Sequence, residues 1–174
     1  MSTTDKLLAS NQEYQKGFQD GNKPMPPGQK VAVVACMDAR LHPARALGID
    51  VGDAHIIRNA GGVVTDDVIR SLLISQLLLG TEEVILIHHT DCGMLTFKDD
   101  DVKRTVQDQT GLKPPFALEA FPDLDEDVRQ SINRVRSSPF VPRKTSIRGF
   151  VYDVNTGAMR EVVAEPALAG ASTR

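Results

Sequence analysis

Two short segments of the chain combine thiol, imidazole and carboxylate side chains at spacings that suit a metal centre. The first contains Cys36, Asp38 and Arg40 in a C-x-D-x-R pattern, and the second contains His89 and Cys92 in an H-x-x-C pattern. Zinc binds thiolate and imidazole ligands, and two Cys with one His leave the fourth tetrahedral position open in catalytic sites. The two segments therefore predict a zinc site that keeps one position for water or substrate.

Each of these residues also has a simpler explanation when it is taken alone. A buried cysteine is usually a small apolar residue of the core, and a disulfide between Cys36 and Cys92 is a second alternative. The first residues of the chain lack the apolar segment of a signal peptide, so we expect a cytoplasmic protein. In that reducing compartment a structural disulfide is rare, and the combination of both motifs favours the metal.

The two segments follow short runs of aliphatic and mostly β-branched residues, at 30–35 and 83–87. Such runs are typical of parallel strands that are buried on both faces. Ligands of open parallel sheets bind beyond the carboxyl ends of the strands. If these two strands are neighbours, the sheet therefore brings the two motifs to one place.

The remaining patterns predict an α/β fold with a central, mostly parallel sheet flanked by helices. A strand at 53–58, a helix at 66–79 and the strand at 83–87 repeat the β-α-β order of such sheets. Residues 145–154 and 159–163 flank an Asn-Thr-Gly turn and predict a hairpin. We therefore expect about four parallel strands and an antiparallel edge strand.

The length of 174 residues predicts a single domain that comprises 1–174. Residues 1–30 are expected to form an N-terminal helix, capped by Thr3 or Thr4, and a proline-rich linker. Residues 164–174 are predicted to be a disordered tail. The helix at 66–79 is apolar on more than one side, which indicates that it packs against a partner subunit or a second helix as well as the sheet.

Two further helices are predicted later in the chain, at 99–111 and 123–136. Asp99, Asp100 and Asp101 are interpreted as solvated residues in the first turn of the earlier helix, where acidic residues suit the helix dipole.

The overall composition excludes several classes of function. The net charge is −3, so the chain lacks the basic surface that nucleic-acid binding requires. No apolar run approaches the roughly 20 residues of a membrane helix. The turn at 59–62 is not a G-x-G-x-x-G loop and has no P-loop lysine, so nucleotide binding is not expected.

Together with the R-N-A-G segment at 58–61, the two motifs resemble β-class carbonic anhydrases in order and spacing. The resemblance extends from about residue 7 to about residue 163 and is closest to the short bacterial and archaeal branch. It implies that Cys36, His89 and Cys92 bind one zinc ion per subunit. It also implies that a zinc-bound hydroxide hydrates carbon dioxide reversibly to bicarbonate.

The resemblance implies roles for residues around the metal as well. Asp38 and Arg40 would be a catalytic pair in which Arg40 holds Asp38 off the zinc, and Asp38 is a possible fourth ligand in a closed state. The N-terminal helix would pack on a partner subunit, in a homodimer or homotetramer. The residues expected at the substrate pocket are Asn59, Ala60, Gly61 and Gly93.

Two alternatives remain open at this stage. Carbonyl sulfide hydrolases resemble this family and share its zinc motif, so hydrolysis of carbonyl sulfide to H2S and carbon dioxide is the main rival activity. A structural zinc site, with Asp38 as a permanent fourth ligand, is the non-enzymatic rival. His42 and His55 are candidates for moving protons to solvent, and His88 is interpreted as structural.

Overall fold

The fold is that of a computed structural model, which describes residues 1–164. The predicted tail at 164–174 lies outside the described residues except for Ala164, which is half-buried against the core. No helix within residues 1–164 is long and apolar enough to span a membrane.

The central sheet has five strands in the order β2-β1-β3-β4-β5. The first four are parallel, and β5 runs antiparallel to β4 at the edge, as the sequence predicts. The strands are β1 (Val31–Cys36), β2 (Ala54–Asn59), β3 (Glu83–His89), β4 (Ser146–Tyr152) and β5 (Met159–Val162).

Polar side chains cap most of the helices in the described chain. Thr65 accepts a hydrogen bond from a backbone N–H in the first turn of α3, and Asp123 does the same for α5. The cap of α1 is Ser2, whose hydroxyl accepts from the Asp5 N–H and whose own N–H donates to the Asp5 carboxylate, so the expected cap at Thr3 or Thr4 is wrong. The helices are α1 (Thr3–Lys16), α2 (Pro43–Leu47), α3 (Asp66–Leu77), α4 (Asp99–Thr110) and α5 (Leu124–Ser137).

Strand β1 is buried along its whole length between β2 and β3. Side chains from its two faces enter separate apolar clusters because successive residues of a strand point to opposite sides. Val34 belongs to the cluster that α3 and α5 cover. Ala35 belongs to the other cluster, which Cys36 joins at the end of the strand together with Cys92 and Phe121. The two cysteines therefore lie in the same apolar cluster.

Helix α3 is covered on one side only within a single chain. Leu72 is fully buried against the sheet, whereas Leu77 and Leu78 are about two-thirds exposed, at 65% and 67%. Helix α1 has no buried residue at all. The expectation that partner subunits cover these helices stays a prediction.

Candidate metal centre

The structure brings the three predicted metal ligands together at the carboxyl ends of β1 and β3. Cys36 is the last residue of β1, His89 is the last of β3, and Cys92 follows three residues later. Their ligand atoms all lie within 4.8 Å of one another, and all three residues are buried. Within residues 1–164 this is the only group of three such side chains that could hold one ion.

His89 is oriented for metal binding by its backbone surroundings. Its Nδ1 donates a hydrogen bond to the carbonyl oxygen of Thr90 at 2.8 Å, which leaves Nε2 unprotonated in the neutral ring. Nε2 is buried and has no hydrogen-bond partner. A buried polar atom without a partner is uncommon and costly, whereas a zinc-binding His characteristically bonds its other ring nitrogen to a carbonyl or carboxylate. The orphaned Nε2 therefore fits a metal ligand.

The two cysteines are free thiols, so the alternative of a disulfide between them is wrong. A hydrogen bond from the Cys92 thiol holds the pKa of the Cys36 thiol well below its usual range, although burial opposes the shift. The same contact, with burial, raises the pKa of Cys92. The pair therefore favours one thiolate and shares one proton, and that proton is the one a bound metal would displace.

Asp38 and Arg40 form the two-pronged contact that the motif predicts. Arg40 Nε donates to Asp38 Oδ1 at 3.0 Å and Nη2 donates to Asp38 Oδ2 at 2.8 Å. The guanidinium and the backbone N–H of Arg40 hold the pKa of the Asp38 carboxyl far below its ordinary value. Asp38 Oδ2 is 3.7 Å from His89 Nε2. The carboxylate thus faces the ligand cluster while Arg40 holds it.

Arg58, interpreted from the sequence as structural, supports the loop that carries Asp38. Its Nε donates to the carbonyl oxygen of Cys36 at 3.0 Å. Its Nη2 donates at 2.8 Å to the carbonyl oxygens of both Asp38 and Leu41. One side chain of β2 therefore satisfies three carbonyls of the site loop and ties that loop to the neighbouring strand.

The glycine turn after β2 packs directly behind the two strand ends. Gly62 has a φ of +73°, and a Cβ atom there would lie 2.8 Å from the backbone nitrogen of Cys36 and 2.9 Å from the carbonyl oxygen of Ile87. A Cβ on Gly61 would lie 3.1 Å from Met94 and 3.2 Å from Phe121. Only residues without a side chain allow the turn to approach β1 and β3 this closely.

The expected pocket residues lie around this turn. Asn59 is aligned with Cys36 in the register of β2 and β1, and its side-chain amide donates to Val63 O at 2.8 Å. Ala60 and Gly61 continue the chain from Asn59 into the turn. Gly93 is exposed and begins a short 3-10 turn directly after Cys92.

The other histidines have local structural contacts. His88 is fully buried, and its Nε2 lies 2.6 Å from Asp127 Oδ2 of α5, in accordance with a structural role. His42 accepts a hydrogen bond from the first turn of α2, and His55 contacts Ser75 at 2.8 Å. A role for His42 or His55 in proton movement stays a prediction.

Asp99 differs from its interpretation as a merely solvated residue. Its carboxylate accepts hydrogen bonds from the backbone N–H groups of Leu118, Glu119 and Ala120, at 2.7, 3.2 and 2.9 Å. Burial opposes ionisation, but these donors lower the pKa of the Asp99 carboxyl. The loop that Asp99 holds leads to Phe121, which is buried beside the cysteines. Spacing alone gave no signal for this contact.

Comparison with known proteins agrees with this geometry. The family profile described as carbonic anhydrase matches residues 31–159, which include both motifs. The chain is 62% identical over 162 residues to β-carbonic anhydrase 1 of Mycobacterium bovis and Mycobacterium tuberculosis. That alignment covers 93% of this chain and 99% of the relatives.

Two further likenesses concern a solved structure and a second activity. The crystal structure of a carbonic anhydrase from Streptococcus mutans superposes with a TM-score of 0.88 at 44% identity, over 94% of this chain and 99% of that one. A carbon disulfide hydrolase of Acidithiobacillus thiooxidans is 36% identical in an alignment of 157 positions that covers 78% of this chain and 78% of the relative.

Proposed function

The chain belongs to the β-carbonic anhydrase family, and we propose that it catalyses the reversible hydration of carbon dioxide to bicarbonate at the Cys36–His89–Cys92 centre. The observation that carries the proposal is the convergence of three buried ligand atoms within 4.8 Å, beside an Asp38 carboxylate that Arg40 holds. This arrangement provides a metal site and a separate polar group that can act on the nucleophile.

Cys36, His89 and Cys92 would hold one zinc ion per subunit, since their sulfur and nitrogen atoms are the donor set that zinc prefers. A zinc ion held there would lower the pKa of a bound water molecule and so supply the hydroxide nucleophile. The hydrogen bond from His89 Nδ1 to Thr90 keeps the ring in the tautomer and orientation that present Nε2 to the ion.

Asp38 would orient the nucleophile. Its ionised carboxylate can only accept hydrogen bonds, so it would accept one from the O–H of the attacking hydroxide and leave a lone pair of that oxygen directed at the carbon of the substrate. The contact with Arg40 maintains the ionised form. It also keeps both carboxylate oxygens occupied, which disfavours Asp38 as a metal ligand.

The backbone of Asn59, Ala60, Gly61 and Gly93 would line the substrate pocket. The support is their position, because Asn59 is aligned with Cys36 and a Cβ atom on Gly61 would touch Met94 and Phe121. Carbon dioxide is linear and carries no net charge, so an apolar wall beside a few oriented polar groups suits its binding.

Metal analysis and stopped-flow hydration assays test the proposal together. We expect about one zinc per subunit and rapid carbon dioxide hydration in the intact protein. A Cys36→Ser variant should lose both, because the hydroxyl is not a thiolate ligand. A Ser146→Ala variant, which changes a half-buried hydroxyl at the opposite end of the sheet, serves as the control. Hydration at the background rate in a zinc-loaded protein would contradict the proposal.

A second candidate reaction is hydrolysis of sulfur analogues of carbon dioxide. The likeness to carbon disulfide hydrolases at 36% identity supports it, and carbonyl sulfide and carbon disulfide share the linear geometry of carbon dioxide. Release of H2S from each sulfur compound, measured beside the hydration rate on the same preparation, separates the two activities. Rapid H2S release with negligible hydration would make sulfur hydrolysis the principal function.

We further propose a homo-oligomer, a homodimer or homotetramer, in the cytoplasm. The exposed apolar residues of α1 and α3, such as Leu7, Leu8 and Leu77, support an oligomer. The two unpaired thiols of the metal centre suit a reducing compartment, in which they stay available as ligands. Sedimentation measurements test the oligomeric state.

A further inference from the structure

Arg40 contacts a second carboxylate, Asp91, for which neither motif gives a role. Arg40 Nη1 donates to Asp91 Oδ2 at 2.6 Å, and Nη2 donates to the carbonyl oxygen of Asp91 at 2.9 Å. The Nε and Nη2 donors of the same guanidinium bond Asp38. One planar group therefore joins the loop after β1 to the loop after β3, at the edge where the metal ligands lie.

The backbone at Asp91 is in an uncommon conformation. Its φ is +54°, in the left-handed region that residues other than glycine adopt at a cost, which is smallest for Asn and Asp. In this conformation both the carbonyl and the carboxylate of Asp91 accept hydrogen bonds from Arg40. Local strain that is kept beside a functional group is a reason to look for a role in positioning.

We propose that Asp91 is a positioning residue, which holds the Arg40 guanidinium in the orientation that keeps Asp38 away from the metal. The inference rests on the proposed zinc site at Cys36, His89 and Cys92. Asp38 Oδ2 lies only 3.7 Å from His89 Nε2, so a small rotation of an unrestrained carboxylate brings it among the ligands.

Two effects of removing Asp91 oppose each other, and their sizes decide the outcome. The Asp91 charge competes with Asp38 for the same guanidinium, so its loss strengthens the attraction between Arg40 and Asp38. However, the Asp91 side chain is 76% exposed, and solvent and salt screen that competition. Loss of the contact also frees the long side chain of Arg40, which is 47% exposed and gains rotamer freedom. Screening weakens the charge terms of both effects but not the gain in rotamer freedom, so we expect the loss of orientation to be the larger effect and Asp38 to be held less firmly by its own bonds to Arg40.

Two substitutions separate the contact from the backbone conformation. Asp91→Gly removes the carboxylate and adopts a positive φ without strain. Asp91→Asn keeps the size and a neutral acceptor but removes the charge, and Asn also tolerates the left-handed region. We expect the effect of Asp91→Gly to exceed that of Asp91→Asn. If one variant does not fold, the other still tests the proposal.

The first readout uses metal-free protein. In a 15N NMR spectrum, the Arg40 Nε–H group should exchange with water about three- to tenfold faster in Asp91→Gly, the usual effect of one exposed charge-assisted hydrogen bond on an equilibrium. The matched control is Glu161→Gln, which removes the charge from an equally short ion pair, at 2.6 Å from Arg148, between strands β4 and β5 at the edge of the sheet. In the control the Arg40 signal should not change.

The second readout uses the zinc-loaded protein. As Asp38 becomes a fourth ligand, competition with a chelator should show tighter zinc binding, and kcat for hydration should fall with little change in KM. A merely structural role for Asp91 would instead weaken zinc binding. Unchanged Arg40 exchange, zinc affinity and kcat in both variants would overturn the inference. An intact protein that binds no zinc would refute the proposed function, whereas the exchange rate would still test the contact with Arg40.

Discussion

Replacement of Gly62 by alanine tests whether the glycine turn sets the position of Cys36. Gly62 has a φ of +73°, and an added Cβ would lie 2.8 Å from the backbone nitrogen of Cys36 and 2.9 Å from the carbonyl oxygen of Ile87. Both neighbours are backbone atoms of the paired strands β1 and β3, so neither can rotate away. The substitution must therefore shift either the turn or the strand end that carries the metal ligand.

The magnitude follows from two contributions. An alanine in the left-handed region costs roughly 1–2 kcal/mol relative to glycine. The forced contact with the backbone adds about 1–3 kcal/mol, the usual cost of overpacking a core. We therefore expect the free energy of unfolding to fall by roughly 2–5 kcal/mol in total, which in a chain of this size lowers the Tm by several degrees or more.

The chain provides a control that carries the first contribution without the second. Gly111 ends α4 with a φ of +77°, and a Cβ there would meet nothing within 4 Å. Gly111→Ala should therefore cost only the roughly 1–2 kcal/mol of backbone strain and leave zinc binding unchanged. Both variants are measured by urea unfolding of metal-free protein and by competition with a zinc chelator.

The differences between the two variants in free energy of unfolding and in zinc affinity decide the test. Gly62→Ala should be less stable than Gly111→Ala by about 1–3 kcal/mol, and it alone should bind zinc more weakly because Cys36 moves. Equal destabilisation, or an unaltered zinc affinity in Gly62→Ala, would refute the reasoning that the turn positions the ligand.

Three further predictions concern residues that hold the site loops or the strand beside them. Arg58→Lys cannot span three carbonyls, so chelator competition should show weaker zinc binding. Asp127→Ala leaves His88 Nε2 buried without its partner, and urea unfolding should detect a loss of about 1–3 kcal/mol. Asp99→Asn should destabilise the fold at neutral pH. The pKa of Asp99 is lower in the folded state than in the unfolded state. The stabilisation that its carboxylate provides is therefore fully present above the unfolded-state pKa and is lost as the pH falls through the folded-state pKa. The stability difference between wild type and Asp99→Asn should therefore shrink on acidification, and a difference that is constant with pH would contradict this.

The predicted parallel sheet and ligand set depend on local patterns, which is why they could be derived from the sequence. The aliphatic runs identify β1 and β3, and each motif follows its run directly, so parallel pairing is enough to bring Cys36 and His89 together. The contact of Asp38 with Arg40 is equally accessible, because the residues are two positions apart. The antiparallel edge strand follows from the turn that precedes β5.

The contacts that the sequence did not predict share a different physical character. Asp91 is 51 residues from Arg40 in the chain, and Asp99 bonds backbone groups 19 to 21 residues away. These pairs connect loops, whose relative placement is determined only after the whole sheet has formed. The periodicity of the sequence does not predict contacts between loops. A carboxylate near the start of a helix also has the simpler explanation that it is solvated.

Side chains that bond backbone groups are difficult to recognise from the sequence of this site. Arg58 bonds three carbonyl oxygens and Asp99 bonds three N–H groups, and nearly every residue offers a carbonyl and an N–H regardless of its side chain. The residue type at the partner position therefore gives no indication of the contact, whereas the charged side chain itself can be recognised in the sequence. In this chain, the sequence therefore identifies Arg58 and Asp99 as charged residues, but their backbone partners become known only from the three-dimensional structure.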